Sequence, residues 1–356
     1  MARADRSRSM RRGMTLIELL VVITIMMVVA AVAIPALRQP LEGRRLREAA
    51  RGVNIFLGSA RNHALETGRP IGVLLERNGN VCTLLRQIEM PPPYGGDVDP
   101  TLVSVSWPGR TGPILARVVQ GSVDPAYCRT GDLLQINYQG HWFEVMAFDA
   151  SSNTIRLTPR LDALPWNDLP SPGLPFIVQR VPSSGSELVS SGAAPLQLPR
   201  DAIVDLYASG TEGEPQRFAS TATGSDTSPV MVVFSPNGMV ARSHWTVVSS
   251  GTPVFMTDRA NSPLFFLIGR RERPTVPTTL PTATPPDQLP NWIDPASLWV
   301  FVNHQTGAVG TVENNFVDPN PPVPPPPMAS WTDPAVPQLI LSARKFAREA
   351  SSMGGR

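Results

Sequence analysis

The sequence predicts an α+β protein: one long N-terminal helix packed on a β-rich C-terminal body of antiparallel strands that carries a β insertion. Three observations carry this expectation. An apolar run from Met14 to Leu37 flows directly into a second stretch with helical spacing. The chain holds 39 prolines in 356 residues, too many for a largely helical body. Past residue 70, short β-rich runs alternate with glycine, proline and asparagine turns.

Residues 1–13 carry Arg3, Arg6, Arg8, Arg11 and Arg12 against a single acid, Asp5. The run at 14–37 is about 24 residues, long enough to cross a hydrocarbon core as a helix. Arginines ahead of it predict a cytoplasmic N-terminus and a body on the far side. The run is too long for an ordinary secretory signal. Glu18 stands inside it, where a carboxylate costs a few kcal/mol unless it has a partner or a function.

From Leu41 to Leu65 the residues Leu46, Ala49, Ala50, Val53, Phe56, Leu57, Ala60 and Ala64 fall on one helical face. Gly68 and Pro70 should stop this helix, and Pro35, Pro40 and Gly43 should bend or loosen it. The whole helix would span roughly 75 Å.

Ile71–Glu76 and Val81–Ile88 flank the Asn78–Gly79 hairpin signal. A proline-rich break follows, and 91–195 is expected to be an inserted small β subdomain. Its strands should include 115–120, 132–138, 141–148, 154–158 and 176–181. Trp142 and Trp166 are expected to pack in its core or rim. Strand signals resume at 203–208, 230–234, 239–243, 254–256, 264–268 and 298–302. Proline-rich loops are expected at 274–290 and 319–327. A final helix over 334–350 should show a basic face of Arg344, Lys345 and Arg348. The expected divisions are therefore 1–13, an apolar span at 14–37, its amphipathic continuation at 38–68, a β body at 69–90 and 196–334, the insertion at 91–195, and a basic helix and tail at 335–356.

The segment RRGMTLIELLVVI resembles the processing site of type IV prepilins and pseudopilins. The resemblance implies that the leader 1–13 is removed by prepilin peptidase between Gly13 and Met14. Met14 then becomes an N-methylated terminus, and Glu18, the fifth mature residue, serves filament assembly by pairing with a terminal amine. Methionine departs from the commoner phenylalanine at the first mature position. Two further segments resemble H-type minor pseudopilins of type II secretion systems and related minor pilins. Phe234-Ser235-Pro236-Asn237-Gly238 is similar to their F-x-P-[DN]-G turn, and Thr306-Gly307-Ala308-Val309 to their T-G-x-V closing hairpin. The family implies a single-pass inner-membrane protein with a periplasmic body. Its partners would be prepilin peptidase, other pilins or pseudopilins, an inner-membrane assembly platform and a secreted protein substrate. The 91–195 insertion departs from these smaller relatives. Gly269-Arg270-Arg271-Glu272-Arg273 resembles the G-R-x-x-R pattern of DNA-binding minor pilins, but lies far from the C-terminus. DNA uptake and a filament-independent membrane display domain are therefore the alternatives.

Composition argues against other classes. A net charge of +2 does not suit a protein that coats nucleic acid. The four histidines show no metal-ligand spacing, and Asp97, Asp99 and Asp124 do not form a calcium-loop pattern. Neither a phosphate-binding loop nor a nucleophile elbow is present. No cofactor and no catalysis are expected. Cys82 and Cys128 are candidates for a single disulfide in an oxidising compartment.

Overall fold

A computed structural model describes residues 15–110, 112–159, 171–180, 192–221, 226–249, 252–273, 289–317 and 335–353. The leader, Trp166 and the linker at 319–327 lie outside these residues, as does most of the linker at 274–290. The chain divides into two units, residues 1–45 and 46–356. The first helix, α1 (Leu16–Thr67), contributes to both.

Within the first unit, the large apolar side chains from Leu16 to Val29 are between 41% and 82% exposed, on every side of the helix. Among the described residues, no helix is long and apolar enough to cross a membrane.

The second unit starts with the other half of α1. Leu46, Ala49, Ala50, Val53, Leu57, Ala60 and Ala64 are buried to 2% exposure or less, on the stripe that their spacing predicts. Four of the seven are alanine, so the backbone can lie close to the sheet beneath. The helix stops before Gly68 and Pro70.

Strands β1 (Ile71–Asn78) and β2 (Val81–Glu89) form the expected hairpin. Six strands follow: β3 (Leu102–Ser106), β4 (Ile114–Gln120), β5 (Leu133–Ile136), β6 (Trp142–Asp149), β7 (Thr154–Leu157) and β8 (Leu174–Gln179). They close into an antiparallel barrel in the order β3-β4-β7-β6-β5-β8. Val103, Val105, Ile114, Phe143, Val145, Ile155 and Phe176 fill its interior. The chain then supplies β9 (Leu196–Gln197), β10 (Ala202–Thr211), β11 (Val230–Phe234), β12 (Val240–Ser249), β13 (Thr252–Arg259), β14 (Leu264–Arg270), β15 (Leu298–Val302) and β16 (Val309–Glu313). With β1 and β2 these make one ten-stranded antiparallel sheet, ordered β13-β12-β11-β1-β2-β10-β14-β15-β16, with β9 also pairing β2. Two short helices, α2 (Ala335–Ala343) and α3 (Lys345–Met353), end the described chain.

The sheet is covered on both faces. One face packs on α1 through Val73, Leu75, Val204, Val232, Phe266 and Val300. On the other face, Leu74, Ile88, Met231 and Val233 meet Leu133 and Trp142 of the barrel. Farther along that face, Phe265, Leu267, Trp299 and Phe301 meet Val336, Ile340, Ala343 and Ala347 of the two C-terminal helices. Strand β14 shows the logic: Leu264, Phe266 and Ile268 point to α1, and Phe265 and Leu267 point away from it. A strand buried on both faces reads as an unbroken apolar run.

Three expectations need correction. Strands β3 and β9 were not expected. Only two residues of β9 pair, too few for alternation to show. The expected single C-terminal helix is two, broken at Arg344. Its basic face is also not a single face, because Arg344 is fully buried.

Candidate functional site

Of the residues singled out at the N-terminus, Glu18 lies in the first turn of α1. Thr15 is not helical, and its carbonyl accepts from Leu19 N at 3.1 Å. Its hydroxyl accepts from Glu18 N at 3.3 Å, and a Glu18 carboxylate oxygen accepts from Thr15 N at 3.4 Å. This reciprocal pair is a capping box, which satisfies two backbone N–H groups that the helix start leaves open. A carboxylate here also faces the positive end of the helix dipole. Glu18 is exposed, so the cap leaves it accessible. The spacing T-L-I-E carries the local signal for this cap, whereas the family resemblance points Glu18 to a terminal amine. Gly13 and Met14 lie outside the described residues.

The two turn motifs meet at the other end of the same helix. Asn303 Oδ1 accepts from Gln305 N at 2.9 Å and Thr306 N at 3.0 Å, which closes the Asn303–Gly307 turn. Val240 N donates to His304 O at 3.0 Å, joining this turn to the one at Ser235–Gly238. Arg61 of α1 donates from Nε to Thr306 O at 2.9 Å. Gly238 and Gly307 both take positive φ, 81° and 64°. A Cβ on Gly307 would strike Gly238 O and crowd Arg61. Both glycines are required by close approach. The arrangement locks the end of α1 to two sheet hairpins. On its outer side Asn303, His304 and Gln305 line a cavity of about 900 Å³ together with residues of α2 and α3.

The Gly269–Arg273 segment is largely taken up by structure. Arg270 Nε and Arg273 Nε lie 3.5 and 3.0 Å from Asp294 Oδ2, and Arg273 Nη1 donates to Leu289 O at 2.9 Å. Arg271 and Glu272 are exposed. Gly269 itself makes room for Asn291, whose amide holds Arg270 N and the Asp205 carboxylate. Of the proposed C-terminal basic face, Arg344 donates to the carbonyls of Thr211, Ala208 and Pro215. Its guanidinium lies 4.9 Å from the Trp299 ring centre and 5.3 Å from that of Phe265. Burial, with Arg348 adding to it, lowers its pKa to about 9. Lys345 and Arg348 remain exposed, and Arg348 pairs with Glu212 at 2.6 Å.

The two cysteines are not bridged. Cys82 sits in the core between α1 and the sheet, and Cys128 in the barrel core. Each core closes around its own thiol, and burial pushes both up to about 12, so neither is a reactive thiolate. Asp97 accepts from Tyr94 Oη and from Ser122 Oγ, and no acidic or histidine cluster suited to a metal occurs among the described residues.

Residues 8–34 match the model of the prokaryotic N-terminal methylation motif. The match indicates a type IV pilin-like N-terminus of the kind that prepilin peptidase processes. Neither the curated proteins nor the solved structures contain a significant match to the chain.

Proposed function

We propose that the chain is a minor pseudopilin or minor pilin, a structural subunit of a type II secretion pseudopilus or a related type IV pilus-like filament. Prepilin peptidase would cut it between Gly13 and Met14 and methylate Met14. The observation that carries this reading is the methylation motif at 8–34, set on a helix whose later half is built into the core of a β body. A helix apolar on every side needs an apolar surrounding. The inner membrane would supply it before assembly, and the packed helices of neighbouring subunits would supply it afterwards. The body would then lie in the periplasm, within reach of a secreted protein substrate and of other subunits. The function is packing and contact, without turnover.

Glu18 has two roles to separate. As a cap it needs only an acceptor for Thr15 N, which glutamine supplies equally well. As the partner of a terminal amine in an apolar bundle it needs its charge, because an unpaired buried ammonium costs several kcal/mol. Glu18→Gln should therefore keep a normal helix start and peptidase cleavage but fail to enter sheared filaments. Glu18→Ala should lose both the cap, about 1 kcal/mol, and assembly. Normal incorporation of Glu18→Gln, measured by immunoblot of the filament fraction, would reduce Glu18 to a helix cap. The DNA-uptake alternative has less support, because Arg270 and Arg273 are engaged by Asp294.

A further inference from the structure

A cavity of about 270 Å³ lies where the β5–β6 hairpin of the barrel meets strands β12 and β13. His141, Trp142, Arg242, Thr257, Asp258 and Arg259 line it. A sheet bulge builds it. The β11–β12 register slips by one residue, pairing Phe234 with Val240 but Val233 with Arg242, so Ala241 is extra. Without the slip, Arg242 would follow Val240 onto the α1 side. The bulge turns it to the barrel side, the common use of such irregularities. There its guanidinium lies 3.8 Å from the centre of the Trp142 ring.

The charge pattern at this cavity is unbalanced. Arg242 pairs directly across the strands with Arg259. Like charges directly opposite are destabilising. No carboxylate lies within ion-pair distance of either one among the described residues. Asp258 belongs to the lining, but its carboxylate already accepts from Arg217 Nη1 at 3.1 Å. Arg242 Nη1, Trp142 Nε1 and Thr257 Oγ1 are buried without a hydrogen-bond partner. Two of these groups can only donate, and the third can donate. A native interior rarely leaves such groups unmet. An occupant that satisfied them would bring acceptors and negative charge.

We propose that this cavity binds an oxyanion, the phosphate or carboxylate group of a small ligand. Arg242 and Arg259 would supply the charge, and Trp142 and Thr257 the neutral donors. The donors come from the barrel on one side and the sheet on the other, so the bound anion would tie the insertion to the body. This site is independent of the filament role.

The test titrates the purified full chain, in non-ionic detergent and Hepes buffer, with sodium phosphate and separately with sodium acetate. Sodium chloride holds the ionic strength constant. The thermal midpoint should rise saturably with one anion or with both, and the response names the oxyanion. Arg242→Met should abolish the response. Arg259 is exposed, so Arg259→Gln provides a variant that folds, and it should weaken apparent affinity about tenfold. No saturable response to either anion would overturn the proposal. An equal response from wild type and Arg259→Gln would do the same.

Discussion

At the scale of single residues, the body depends on ionisable groups kept out of water. Asp205 is fully buried in β10. Its carboxylate accepts from Tyr207 N at 3.0 Å and Asn291 Nδ2 at 3.1 Å. Burial outweighs these bonds and pushes its pKa up to about 7. Below about pH 4 the folded and unfolded chains both hold the proton. Between about 4 and 7 the unfolded chain loses it first, so stability falls as pH rises through that window. His244 acts in the opposite direction. Burial, with Arg242 nearby, lowers it to about 3, so stability falls as pH drops below about 6.5. Total stability mixes the two slopes, and a variant separates them. Asp205→Asn should remove the loss between pH 4 and 7, whatever it does to absolute stability. Urea midpoints of both proteins across that range check this. None of this was readable from the sequence, where Asp205 is one acid in a strand and nothing marks it as buried on both sides.

At the scale of elements, Arg344 decides how the C-terminal helices attach. It sits in the break between α2 and α3 and reaches into the irregular part of β10, where the register with β14 skips from Asp205 to Gly210. Ala208 lies within that skip, and Arg344 satisfies its carbonyl along with those of Thr211 and Pro215. Arg344→Ala should strand three carbonyls and leave a void between Trp299 and Phe265. A loss of roughly 3–5 kcal/mol is expected. Lysine should rescue little, because one ammonium cannot span the fork. Chemical denaturation of the three proteins measures this. The sequence misleads here because Arg344-Lys345 reads as a solvated pair, and only the β10 irregularity calls for a buried guanidinium. Elements whose cause is local were far more legible. The α1 stripe from Leu46 to Ala64, the turn at Gly79 and the run Val230–Phe234 follow from spacing, turn chemistry and β-branching. Strand β3 is hard to read from sequence because its short Leu102–Ser106 alternation follows a proline-rich stretch.

At the scale of the whole molecule, two features set the reading. One is the doubly covered sheet, which lets α1, the barrel and the C-terminal helices share a single β platform. The other is the N-terminal motif at 8–34. The sequence made the motif legible because peptidase recognition is local and linear. It could not show that the Phe234–Gly238 and Asn303–Gly307 turns meet at Arg61, since that contact spans the whole sheet. In the proposed role the chain acts only after its leader is removed. The most direct measurement is the mass of the N-terminal peptide from protein recovered from its native membranes. The expected chain begins at N-methylated Met14. A chain that still begins at Met1 or Ala2, in cells with an active prepilin peptidase, would contradict that role.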